Sequence, residues 1–162
     1  MTENENIPAK SPAETEINMT ELVLPNDTNL LGNLLGGRLM HWIDIAAAMA
    51  ATRHSRRVVA TVSVDSLDFR HPARQGELVS LNAKLTWVGR TSMEVLVKAY
   101  AENMLTGNVI LTNTARLTFV ALDDNGKPVE VPRLLLTTED EKKEFAEAEK
   151  RRCERLKRRD RK

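Results

Sequence analysis

The chain has 162 residues, 41% of them hydrophobic and 29% charged, an ordinary globular balance for one domain. A formal net charge of +1 disfavours a generally basic nucleic-acid binder. One cysteine, Cys153, excludes an intrachain disulfide and a cysteine zinc site, and His41, His54 and His71 lack metal-ligand spacing, so no metal is expected.

The N-terminus is polar and acidic, without the basic start and apolar stretch of a signal peptide, and a cytoplasmic protein is expected. Residues 1–15, with two prolines and no apolar period, read as a mobile tail. Residues 16–24 fit a first strand, and Pro25, Asn26, Asp27, Thr28 and Asn29 carry loop chemistry. Gly36 and Gly37 then open a helix predicted to run to about Arg53 or His54. It is apolar nearly all round, through Leu39, Met40, Trp42, Ile43, Ile45 and a run of alanines, which marks a buried helix. Its most apolar stretch, 39–51, holds His41 and Asp44 and is well short of the roughly 20 residues that cross a bilayer.

Four strands follow, at 58–69, 77–89, 91–103 and 109–122. Met93, Val95, Val97 and Ala99 face one way, and short turns at 89–91 and 105–108 suit hairpins. Residues 138–162 form a charged helical extension. Its first part, 139–149, holds six acids and two lysines; its last, 150–162, holds nine bases and two acids. With only Phe145, Ala146, Cys153 and Leu156 as an apolar stripe, that helix should be exposed, frayed or packed on a partner. Its basic end reads as a solvated helix terminus or as a contact for anionic partners, and without aromatics after Phe145 it offers nothing for base stacking. The order is therefore α+β, an antiparallel sheet curled round one helix from 16 to 137. Such a single-layer sheet leaves one face open and calls for a second subunit.

The chemistry concentrates between 29 and 44. Asp44 is an acid between Ile43 and Ile45, and a buried carboxylate needs a partner or a task. Arg38, His41 or a backbone group would serve as partner. Gly36 and Gly37 either relieve a bend or present helix N-terminal N–H groups that could hold an oxyanion. Asn29 alone reads as a turn former. No Ser elbow is present, Ser66 and Ser92 have no nearby His, Cys153 lacks a base partner, and Trp42 and Trp87 read as core.

Together these residues carry more. Asn29 and Gly32, then Gly36 and Gly37, then Asp44 on the helix resemble the signature of hotdog-fold acyl-CoA thioesterases, in particular the cytosolic acyl-CoA hydrolase type of bacteria and brain. Further matches are Gly89, Arg90, Thr91, Ser92 and Met93, and 118–123 with Gly126, Lys127 and Pro128. The resemblance spans roughly 18–136 and leaves out the C-terminal extension. It implies a long helix wrapped by an antiparallel sheet, and hydrolysis of acyl-CoA to a fatty acid and CoA with no cofactor. It makes Asp44 the general base or nucleophile, Asn29 the second catalytic residue, and the N–H of Gly36 or Gly37 the group that polarises the carbonyl. It places the CoA phosphates near Gly89, Arg90, Thr91 and Ser92, and makes the homodimer, in a trimer of dimers, the expected assembly.

Geometry agrees. Gly36 and Asp44 are eight residues apart, about 12 Å along a helix, whereas donor and base must both lie within about 3 Å of the reacting atoms. Two antiparallel copies can meet that condition, with Gly36 and Asn29 from one and Asp44 from the other. The alternatives are a non-catalytic acyl-CoA-sensing module and a hotdog acyl-CoA hydratase, which would need His54 or His71 as an Asp/His partner.

Overall fold

Period-two patterning and one small-residue helix produce two layers. The computed structural model describes residues 7–161. Five strands, β1 (Ile17–Leu22), β2 (Val58–Phe69), β3 (Leu78–Val88), β4 (Ser92–Asn103) and β5 (Asn108–Leu122), form one antiparallel sheet in the order β1-β3-β4-β5-β2. The long helix α2 (Gly36–Ser55) packs against all five strands. Ala46, Ala47, Ala50 and Ala51 have no solvent exposure. With side chains this small, the helix axis comes close to the sheet and meets Val95, Val97, Leu117 and Phe119, themselves at 0–1%. β2 therefore sits at one edge, hydrogen-bonded only to β5.

One stripe of α2 stays open: Met40, Ile45 and Met49 are 37–41% exposed. Beside it, Val58, Val62 and Val64 of β2 are bare as well. The expectation of a helix buried on all sides thus fails within one chain, because the sheet wraps only part of its circumference.

Two further expectations are corrected. The outer face of the sheet is not left open, because the chain's own C-terminal helix, α3 (Glu139–Asp160), rests on it, helical throughout and with most of its side chains still exposed. The register of β3 with β4 shifts between Leu85 and Trp87, which turns Trp87 out, opposite Glu94. Phe145 then lies 6.4 Å from the Trp87 ring, Arg152 sits 5.3 Å above it, and Trp87 Nε1 donates to Glu149 Oε1 at 3.2 Å. Glu94, only 1% exposed, accepts from Thr86 Oγ1 at 2.8 Å and from Arg151 Nη2 at 2.7 Å. Within the basic half of α3, Arg151 and Arg155 pair with the sheet acids Glu94 and Asp65, while Lys150, Lys157, Arg158 and Arg159 stay exposed.

The expectation of a mobile tail at 1–15 also fails over its later part. Residues 1–6 lie outside the described residues. Beyond them, Lys10 exchanges backbone hydrogen bonds with Arg133 and Leu135, and a short helix, α1 (Pro12–Thr15), buries Thr15. The Lys10 ammonium donates to the His54 carbonyl at 2.8 Å and to that of Arg53 at 3.3 Å, where it caps the negative end of α2.

His54 is fully buried at that end, with Nε2 2.8 Å from the Pro132 carbonyl and no partner for Nδ1. A carbonyl only accepts, so Nε2 carries the proton in the neutral ring. Burial holds its pKa below the ordinary histidine value, with Lys10 adding to the effect and the Pro132 hydrogen bond opposing it. The unfolded chain then takes up a proton at higher pH than the folded one, and stability drains away as pH falls below about 6.5. Melting temperature measured from pH 7.5 down to 5.5 should drop more steeply in wild type than in His54→Gln, which keeps a donor near Nε2 but cannot titrate. Parallel slopes would acquit His54.

Candidate active site

The loop before α2 is shaped by two side chains. Asn29 Oδ1 accepts the N–H of Leu31 at 3.0 Å and of Asn33 at 3.1 Å, an Asx-type turn closed by Gly32 at φ +76°. Its amide Nδ2 takes no protein acceptor among the described residues and the side chain is exposed. Asp27, 7% exposed, accepts from Leu24 N at 3.0 Å and pairs with Arg38 Nε at 3.2 Å. This ties the loop to the first turn of α2.

Gly36 and Gly37 are the first two residues of α2, and the residue that caps them, Leu35, supplies no side-chain acceptor. The first N–H groups of a helix have no partner within it, so these point into the space before it. Packing does not require either glycine: a Cβ on Gly36 would meet the Phe69 ring at an ordinary 3.5 Å, and one on Gly37 would meet nothing within 4 Å. Neither has a positive φ. What glycine leaves here is open access to the backbone.

Asp44 lies two turns further along, half-buried. None of its expected partners holds it, since Arg38 is engaged by Asp27. Thr61 of β2 donates to Asp44 Oδ1 at 2.8 Å. Sequence reasoning missed Thr61, because nothing in an alternating strand says which of its hydroxyls will face a helix 17 residues upstream.

The chain does not bring these groups into one cavity. Asn29, Gly36, Phe69, His71 and Asn113 line a cleft of about 260 Å³. Asp44, Thr61, Gly37, His41 and Leu67 line another of about 370 Å³. β2 runs past both. His54 lines neither, and His71 is on the cleft without Asp44, so neither histidine that the hydratase reading calls on meets Asp44 within one chain; the histidine that shares the Asp44 cleft is His41. Among the described residues no three His, Cys, Asp or Glu side chains gather as metal ligands.

Gly89, Arg90, Thr91 and Ser92 form the β3–β4 turn, with Gly89 N donating to Ser92 O at 2.8 Å. A Cβ on Gly89 would fall 2.5 Å from the Trp87 ring, so glycine is obligatory there. Arg90 is exposed and lines neither cleft. Through the ladder, Met93 pairs with Phe119 and Phe119 with Thr61. The turn thus sits at the Asp44–Thr61 end of the sheet, two strands in, about 10 Å away across the ladder.

Comparison with known proteins gives a consistent picture. The thioesterase superfamily model matches residues 31–107. An uncharacterized acyl-CoA thioester hydrolase of Bacillus subtilis, YkhA, is 49% identical over 128 residues, 79% of this chain and 74% of that one. An apo-hexameric acyl-CoA thioesterase superimposes with TM-score 0.89 at 41% identity, covering 94% of this chain and 97% of that one. An acyl-CoA hydrolase of Staphylococcus aureus, solved with butyryl coenzyme A, coenzyme A and coenzyme A disulfide, gives TM-score 0.86 at 37% identity, over 94% and 93% of the two chains. The same enzyme has been solved with alanine in place of an aspartate, of an asparagine and of a threonine. Likeness at this level runs through both sequence and backbone over most of each molecule, and the chain belongs to the acyl-CoA thioester hydrolase family of hotdog-fold thioesterases.

Proposed function

We propose that the protein hydrolyses acyl-CoA: R–CO–S–CoA and water give R–COOH and CoA–SH. The observation that carries the mechanism is the division of the chemistry between two clefts along one edge strand. A donor set, Asn29 and Gly36, lies in one, and a carboxylate, Asp44, lies in the other. Edge strands seek a partner, and β2 with its bare valines is such an edge. An isologous pair joined through β2, with its two-fold axis near Asp65, sets Thr61 of each copy beside Phe69 of the other. Each Asp44 cleft then meets the other copy's Gly36 cleft, and the dimer holds two composite sites. The hexameric relative supports assembly of three such dimers.

Within a site, Thr61 occupies Asp44 Oδ1 and leaves Oδ2 to take a proton from water as its oxygen attacks the thioester carbon. The carbonyl π pair moves to oxygen, where the Gly36 or Gly37 N–H and the Asn29 Nδ2–H receive it. Asn29 is suited to this because the turn uses only its Oδ1. Collapse re-forms the carbonyl, breaks the C–S bond, and the departing thiolate takes the proton from Asp44. No metal or redox group enters these steps. Arg90, with the Thr91 and Ser92 hydroxyls beside it in the turn that Gly89 makes possible, is placed to meet CoA phosphates at the Asp44 end. A cytoplasmic location goes with this reading; no helix among the described residues is long and apolar enough to cross a membrane.

Asp44→Asn should lower turnover by about 10²–10⁴-fold, with melting temperature and CoA binding retained; thiol release at near wild-type rate would remove Asp44 from catalysis. Arg90→Ala should raise KM for acyl-CoA, and much less for an acyl-pantetheine without the nucleotide. Equal effects on the two substrates would take Arg90 out of the CoA site.

The composite site has its own test. Inactive Asn29→Ala and Asp44→Ala proteins, dissociated and reassembled together, should regain up to about a quarter of wild-type activity, since half the random dimers are mixed and each mixed dimer holds one intact site. A mixture that stays inactive despite proven subunit exchange would place both residues in one chain's site.

A further inference from the structure

The outer helix reaches the strand that carries the site. α3 is pinned near Trp87 by Phe145 and Glu149 and over β4 by the Arg151–Glu94 pair. One turn further on, Arg155 Nη1 lies 2.9 Å from Asp65 Oδ2 on β2, beyond β5, with Glu94 Oε2 4.0 Å away. Arg155 and Asp65 side chains are 21% and 30% exposed.

Asp65 is no ordinary strand residue. β2 is paired on one side only, and its register with β5 slips twice, between Thr61 and Ser63 and between Asp65 and Asp68. Within the second slip Ser66 has φ +55°, a conformation that L residues hold only when their surroundings impose it. Bulges of this kind re-aim the side chains that follow them. Here Leu67 is turned into the Asp44 cleft and Phe69 toward Gly36. The bulge is held at both ends from outside the ladder. Asn113, 1% exposed, donates Nδ2 to the Asp68 carbonyl at 2.7 Å, and Arg155 grips Asp65 from the opposite face of the sheet.

Resting on the thioesterase reading above, we propose that Arg155 is a positioning residue: its ion pair with Asp65 holds the β2 bulge that sets the spacing of the two half-sites. It touches neither substrate nor reacting atoms. It acts through the strand, and α3 serves as the lever arm that the rest of the helix anchors.

The test compares Arg155→Ala and Arg155→Lys with Arg151→Ala, in the full chain, by steady-state thiol release, melting temperature and amide hydrogen exchange. Arg155→Ala should lower kcat about tenfold, the scale on which small misplacements act, with KM for acyl-CoA changed less than about twofold, and exchange at 65–69 should quicken. Arg155→Lys should restore most of kcat. Arg151→Ala should cost at least as much melting temperature yet leave kcat within about twofold. If it fails to fold because buried Glu94 loses its nearest cation, Glu149→Ala, which removes the hydrogen bond of the same helix to Trp87, takes its place as control. Loss of kcat that merely tracks melting temperature across the set, or unchanged exchange at 65–69 in Arg155→Ala, overturns the proposal. Should wild type release no thiol from any acyl-CoA, the thioesterase reading fails, and the exchange data still decide whether Arg155 holds the bulge.

Discussion

The fold hangs on the contact between the alanine face of α2 and the sheet. Ala46, Ala47, Ala50 and Ala51 are wholly buried. A close-packed interior transmits small changes in side-chain volume to the backbone, so these four residues set how near the helix axis lies to β3, β4 and β5. That distance decides which β2 side chains can meet the helix. It lets the short Thr61 hydroxyl reach Asp44 directly, where a bulkier helix face would hold the two apart. The same closeness means that one chain cannot cover the whole helix, and the uncovered stripe falls next to the uncovered strand edge.

Much of this was legible in the residues. The order of elements, the strand limits and the inward set Met93, Val95, Val97 and Ala99 follow from periodicity, because burial on one face of a strand leaves a two-residue rhythm. The loop, the glycine pair and the helix aspartate were legible because their chemistry is local in sequence. What escaped was long-range. Glu94 sits among polar outer-face positions and carries no sign of being 1% exposed; its partner Arg151 is 57 residues away. A one-residue irregularity at Thr86 turns Trp87 from the core to the outer face, and strand alternation cannot forecast where a strand will break its own rhythm. The charged helix is solvated over most of its surface, as its composition implies, but nothing in the sequence singles out Arg151 and Arg155 as the two bases that meet acids of the sheet. Thr61 was hidden for a similar reason, and Asp27, taken as loop chemistry, proved to be the carboxylate that engages Arg38.

Local shape and chemistry are separated within single residues at this site. Asn29 uses its oxygen to build the turn and keeps its nitrogen free. Asp44 commits one oxygen to Thr61 and keeps the other. Each residue is thus held by one half of its functional group, which fixes orientation and leaves the other half for the role proposed above. Gly36 and Gly37 complete the pattern by contributing no side chain at all.

The two tryptophans lie on opposite sides of the sheet. Trp42 is in the inner core at 7% exposure, while Trp87, at 2%, is sealed beneath α3 and touches Phe145, Arg152 and Glu149. Each indole therefore belongs to a different layer. The intrinsic emission of the protein is a two-channel signal: a carboxylate and a cation next to Trp87 tune one channel, and the hydrophobic core that holds Trp42 tunes the other. Replacing either tryptophan with phenylalanine leaves an optical probe that watches a single layer as it opens.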